Sequence, residues 1–169
     1  AKISISSSQV YEINLPFIAS DYEGPRHLNY ELTRETMGNL VADVVERHGR
    51  LDIAVSNAGV WRGGWITTLG TDDWNTVMET SLGGAFNLAR AATPLWREQQ
   101  SGCFIAIGSV VGIVGFAGDI PYASAKAGMS GFVKALAKET GRFNVSANVV
   151  APGPIRTELT AQVSEASWQ

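Results

Sequence analysis

The chain has 169 residues, 45% of them hydrophobic and 17% charged, with a formal net charge of −3. That length suits one domain, and that apolar share suits an ordinary globular core. The mild acidity and the lack of a basic block argue against nucleic acid and membrane-surface partners, and no apolar run reaches the roughly 18 residues of a spanning helix.

Cys103 is the only cysteine, so no internal disulfide can form, which fits a reducing, cytoplasmic setting. The chain opens on Ala1 with no signal-like pattern. A processed, cropped or partial sequence is therefore expected.

Residues 1–25 are the least readable. Ile3 and Ile5 alternate with Lys2 and Ser4, and Val10 and Glu12 with Tyr11, so short strands are expected there. Ser6-Ser7-Ser8 and Glu23-Gly24-Pro25 read as turns. Met37, Leu40, Val41, Val44 and Val45 follow helical spacing, and Gly49 ends that helix. Leu51 to Val55 reads as a strand buried on both faces, running into a loop at Asn57-Ala58-Gly59.

Trp61 to Gly70 is a loop rich in glycine and tryptophan. Thr71 and Asp72 are N-cap candidates for a long helix to about Gln100, kinked near Pro94. Phe104 to Ile107 is the next buried strand, and residues 110–120 a glycine-punctuated loop. A helix from about Pro121 to Thr140 starts with proline in its first turn. Val145 to Ala151 is a third buried strand, ending at Pro152-Gly153-Pro154. Alternating helices and strands imply right-handed crossovers and a parallel sheet covered by helices, as one domain over residues 1–169.

Chemistry concentrates in the second half. Tyr122 and Lys126 stand four residues apart in Y-A-S-A-K, a spacing that shares one helix face. A phenol is a weak acid, with an unperturbed pKa of about 10. An ammonium beside it favours the phenolate, so Lys126 is expected to lower that value. Ser109, after the apolar run F-I-A-I-G, offers a hydroxyl to the same oxygen that Tyr122 would protonate. Asn57-Ala58-Gly59, Ser109 and Pro152-Gly153 each follow a strand, at the end of a parallel sheet where sites form. His27 and His48 have no spacing or carboxylate partner that suggests a metal, so none is expected.

The stretches L-D-I-A-V-S-N-A-G, I-A-I-G-S-V-V-G, Y-A-S-A-K-A-G and N-V-V-A-P-G-P-I-R-T occur in this order. Ser109 precedes Tyr122 by 13 positions. From about Leu28 to Thr157 the chain resembles the short-chain dehydrogenase/reductase family, most of all its 3-oxoacyl-(acyl-carrier-protein) reductases and related ketoreductases. The resemblance implies a Rossmann-like, doubly wound parallel sheet with helices on both faces.

It also implies reduction of a ketone, or oxidation of a secondary alcohol, with NADP or NAD, NADP being favoured. An acyl-carrier-bound substrate falls within that class. Tyr122 would be the proton donor, Ser109 a hydrogen-bond partner of the carbonyl oxygen, and Lys126 a holder of the nicotinamide ribose. Asn57, Ala58, Gly59, Pro152, Gly153, Ile155 and Thr157 would line the cofactor cleft, and Glu31 falls near the adenine position. Gly128, Gly131 and Ala135 leave small side chains on the last long helix, which in the family often pairs between subunits of a homodimer or homotetramer.

Three departures stand out. No G-x-G motif for a pyrophosphate occurs, and Ser6-Ser7-Ser8 lacks the close backbone approach that glycine permits. Ser81, in S-L-G-G-A-F, stands where the family usually has an Asn that holds a water next to the lysine. The chain stops at Gln169, where the family continues into a lid and a last strand. A sheet truncated at both ends is therefore expected. These departures keep open a non-catalytic binding or assembly module. A halide-expelling relative is disfavoured, since such enzymes carry Arg where Lys126 stands.

Overall fold

A computed structural model describes residues 2–7, 9–14 and 34–155. Lys2–Ser7 (β1) and Gln9–Asn14 (β2) pair antiparallel, with Ser7 opposite Gln9. The two expected strands are present. Ser6 and Ser7 lie inside β1 and another strand comes next, so this segment lacks the strand, loop and helix order of a phosphate-binding turn.

The helix Arg34–His48 (α1) carries Met37, Val41 and Val44 on its buried stripe and ends at Gly49, whose φ of +76° suits glycine. Ile53–Ser56 (β3) comes next, slightly later than expected because Leu51 and Asp52 enter before the ladder begins. Leu51 is instead clamped by the residues near Gln99. Its N–H donates to Gln99 Oε1 (3.1 Å), and its carbonyl accepts from Gln99 Nε2 (2.9 Å) and Trp96 Nε1 (2.8 Å).

The long central helix is regular at its ends and irregular between them. Thr71–Met78 (α2) leads through a π-helical turn at Glu79–Gly83 into Gly84–Gln99 (α3). The N-cap is Gly70, one residue before the Thr71 expected from side-chain capping; Asp72 and Asp73 act through charge in the first turn. The helix continues through Pro94 to Gln99. Its break in regularity is the π turn, which sets Ser81 into the interior.

Gly102–Ile107 (β4) and Val145–Val150 (β5) complete a parallel sheet of order β3-β4-β5. Between them lie the short helix Val111–Val114 (α4), inside the stretch expected to be all loop, and the long helix Ile120–Thr140 (α5). Successive strands advance in one direction, so right-handed crossovers place α3 and α5 on the same face. Ala54, Phe104 and Ala106 point into that face with Trp96, Met129 and Val133.

Phe104 and Phe132 meet edge to face at 6.1 Å. The alternate residues Ile53, Val55, Ile105 and Ile107 are half-buried, and Ser146, Asn148 and Val150 are exposed. The three strands are thus less evenly buried than their apolar runs suggested. The architecture is the expected Rossmann-like α/β type.

Candidate active site

β4 ends at Ile107, and two close approaches aim the loop beyond it. The Gly108 N–H donates to Val150 O (2.7 Å) and the Val110 N–H to Pro152 O (3.0 Å), so the loop after β4 is laced to the loop after β5. A Cβ on Gly112 would lie 2.7 Å from Ala127 N and from the Lys126 carbonyl carbon. That glycine lets α4 rest on the α5 backbone beside Lys126. Ser109 sits between these two fixed points.

Its Oγ accepts from the Val111 N–H (3.1 Å), which uses a lone pair and leaves the hydroxyl proton free to donate. Capping and proton donation are therefore compatible in one serine. The Ser109 hydroxyl also lies close enough to the phenol of Tyr122, which emerges from the first turn of α5, to act on its acidity.

Tyr122 is half-buried, and burial pushes its pKa above the usual phenol value. The Ser109 hydroxyl opposes that rise, and the nearby Asp119 charge adds to it. The net shift is therefore upward, opposite to the lowering expected of the pair. The ammonium lies over the ring face, 5.6 Å from its centroid, and donates to Ile107 O at 2.7 Å. Turned that way, it does not outweigh desolvation of the phenolate. A phenol held protonated at neutral pH is the form able to give a proton.

Lys126 is itself buried, and desolvation lowers its pKa to about 8. Its carbonyl partner occupies one of three donors. A Cβ on Gly59 would lie 3.5 Å from both Lys126 Nζ and Ser81 Oγ. These three residues therefore share one small polar recess. Ser81 is fully buried, and its Oγ has no hydrogen-bond partner among the described residues. Such a group marks a place suited to a bound water or a ligand hydroxyl.

Residues 26–168 match the short chain dehydrogenase family. The chain belongs to that family. It is 33% identical over 168 residues to a 3-oxoacyl-(acyl-carrier-protein) reductase of Thermotoga maritima, covering 96% of this chain and 68% of that relative. Reductases of the same name from Salmonella typhimurium (39%) and Escherichia coli (41%) align over 75% and 69% of the chain. Those two alignments take in 52% and 48% of the relatives, so the chain spans about half of their length.

This short-chain dehydrogenase chain brings Ser109, Tyr122, Lys126, Ser81 and Gly59 together. Asn57 and Ala58 lie just before Gly59 at the end of β3, with Asn57 exposed. Pro152, Gly153 and Ile155 lie beyond β5 on the neighbouring loop, Ile155 being 56% exposed. Thr157 and Glu31 lie outside the described residues. Gly128 is a true close approach, since its Cβ would lie 2.9 Å from Leu82 Cδ2 in the π turn, whereas Gly131 faces open space.

One member of the neighbourhood carries no local sequence signal: Asp119 looks like an ordinary helix start. Trp61, just past Asn57-Ala58-Gly59, is a candidate substrate contact by its place in the sequence. The Trp61 indole nevertheless donates to Asp119 Oδ1 at 2.8 Å across 58 residues of sequence. Among the described residues no cluster of three or more His, Cys, Asp or Glu could hold a metal, and no helix is long and apolar enough to cross a membrane.

Proposed function

We propose that this chain forms the proton-donating side and the nicotinamide end of an NAD(P)-dependent ketoreductase site. The carrying observation is the meeting of Ser109, Tyr122 and Lys126 at the end of β4. Tyr122 is the acid: its O–H gives the proton to the carbonyl oxygen of the substrate. Ser109, with its lone pair committed to Val111, donates its own proton to that oxygen and stabilises the negative charge developing there. In the reverse direction the same phenolate would take the proton from a secondary alcohol.

The recess fits the ribose end of a nicotinamide cofactor. Lys126 has donors beyond the one used on Ile107, and Ser81 has an unpartnered hydroxyl beside it. Lys126, Tyr122, Asn57, Ala58, Gly59, Pro152, Gly153 and Ile155 would hold that group, with Thr157 and Glu31 assigned by resemblance. When bound, it supplies hydride to the carbonyl carbon. NADP is favoured over NAD by analogy with the reductase relatives. Ser81 takes the place of the family's Asn and keeps a water next to Lys126 for return of the proton.

Trp65 and Ile66 of the loop before α2, Ile113 and Val114 of α4, and Phe116 just after α4 are exposed. They support a substrate with an apolar substituent, such as a 3-oxoacyl thioester carried by an acyl carrier. The exposed Phe86 of α3, with Arg90 over its ring at 5.8 Å, supports pairing of this face with a second copy.

Titration calorimetry with NADPH and NADH, followed by turnover of a 3-oxoacyl thioester, tests the reading. Binding and turnover are expected. A second reading, a non-catalytic binding module, is favoured by Ser81 at the position where the family usually has an Asn; it predicts no cofactor heat in the full-length protein.

A further inference from the structure

The segment from Gly59 to Gly64 meets α5 at Lys126 and the two residues just before α5, on either side of Tyr122. At one end Gly59 packs beside Lys126, 3.5 Å from Nζ as measured from the position of a Cβ. At the other end the Trp61 indole donates to Asp119 Oδ1 (2.8 Å) and the Gly64 N–H to Gly118 O (2.9 Å). Asp119 lies three residues before Tyr122, and Lys126 four residues after it.

The far contact is built for closeness. A Cβ on Gly63 would lie 2.8 Å from Gly118 O and 2.6 Å from Trp61 Cζ2, so only glycine lets the two loops meet. Gly118 itself takes φ of +87°.

Asp119 occupies the N-cap position of α5, yet its side chain makes no cap hydrogen bond to its own helix. An aspartate there normally accepts from an N–H of the first turn. Here its carboxylate is spent on an indole from another loop. Its carbonyl still accepts the first helical bond, from the Ala123 N–H at 2.7 Å. One residue thus anchors both the strap and the turn that presents the phenol.

We infer that Trp61 and Asp119 form a latch that positions Tyr122, with residues 59–64 as a strap across the start of α5. This rests on the proposed reductase reading for its kinetic consequence, but the latch itself is open to direct observation. Phenol placement matters because transferring a proton requires a donor within hydrogen-bond reach, and small displacements are costly. Trp61 and Asp119 are positioning residues, since they act on the substrate only through Tyr122.

The test uses the full-length protein with Trp61→Phe, Asp119→Ala, Asp119→Asn and the Trp61→Phe/Asp119→Ala double variant. The Trp61 indole N–H resonance, assigned by its loss in Trp61→Phe, reports the latch without any turnover. It should shift and exchange faster with water in Asp119→Ala, and stay close to the parent in Asp119→Asn, whose amide oxygen still accepts. With NADPH and a 3-oxoacyl thioester, Trp61→Phe and Asp119→Ala should each lower kcat about tenfold, in line with loss of one charge-assisted hydrogen bond.

The double variant should fall no further than either single, and Asp119→Asn should recover most of kcat. NADPH affinity should be unchanged in all four. An indole signal unmoved in Asp119→Ala, or single losses that multiply in the double variant, overturns the latch. A moved indole signal with no turnover in the parent would instead sink the reductase reading and leave the latch standing as structure alone.

Discussion

Replacing Lys126 with Met should change how stability depends on pH. Burial lowers the Lys126 pKa from 10.5 to about 8, which corresponds to roughly 3 kcal/mol of disfavour for the charged form. The folded chain then holds this proton more weakly than the unfolded chain does. Below pH 8 both states are protonated and the full cost of the buried charge is present. As pH rises from 8 toward 10.5 the folded state sheds the proton first, and stability climbs.

Between pH 7 and pH 9 the gain works out to about 1.3 kcal/mol for one group with these two values. Tyr122 acts with the opposite sign, because its pKa is raised. Its contribution begins only near its unfolded pKa of about 10, above this window. Equilibrium urea unfolding of the parent and of Lys126→Met at pH 7 and pH 9 measures the difference. The parent should gain about 1.3 kcal/mol relative to the variant as pH rises. Equal pH slopes, or a relative loss by the parent, would refute the claim that desolvation governs this ammonium.

Individual contacts set further outcomes. Gly112→Ala should destabilise the protein by about 2 kcal/mol in urea unfolding, because its Cβ would meet α5 backbone atoms that cannot swing aside. Ser81→Ala should leave stability within about 1 kcal/mol, since the hydroxyl it removes is unpartnered, while slowing turnover severalfold by loss of the water site. Asp119→Asn should lower the Tyr122 pKa by removing a charge that raises it, and an absorbance titration of phenolate against Tyr122→Phe reads that shift. Trp65→Ala should raise KM for long 3-oxoacyl thioesters more than for short ones, because the exposed indole offers apolar surface only to the longer chains.

Local signals carried most of the fold. Helical spacing at Met37, Val41 and Val44, the stop at Gly49 and the proline at the start of α5 depend on neighbours within a few residues. The apolar runs at β3, β4 and β5 placed the strands and put Asn57, Ser109 and Pro152 at one end of the sheet. The π turn at Glu79–Gly83 left no such trace, because one extra residue per turn changes no composition. The orientation of the Lys126 ammonium was illegible too. Spacing placed it beside Tyr122, while the Ile107 carbonyl that captures it lies 19 residues away. The phenol is raised chiefly by its own burial, which the spacing of the pair does not reveal. Trp61 and Asp119 meet through two loops whose separate sequences look like ordinary turns.

The most direct measurement is NADPH oxidation by the full-length protein with a 3-oxoacyl thioester, parent against Tyr122→Phe, with cofactor affinity measured in parallel. Loss of the single phenol oxygen should lower turnover by on the order of 100-fold or more while NADPH binding persists. A Tyr122→Phe protein that turns over at the parental rate would contradict the assignment of Tyr122 as the proton donor.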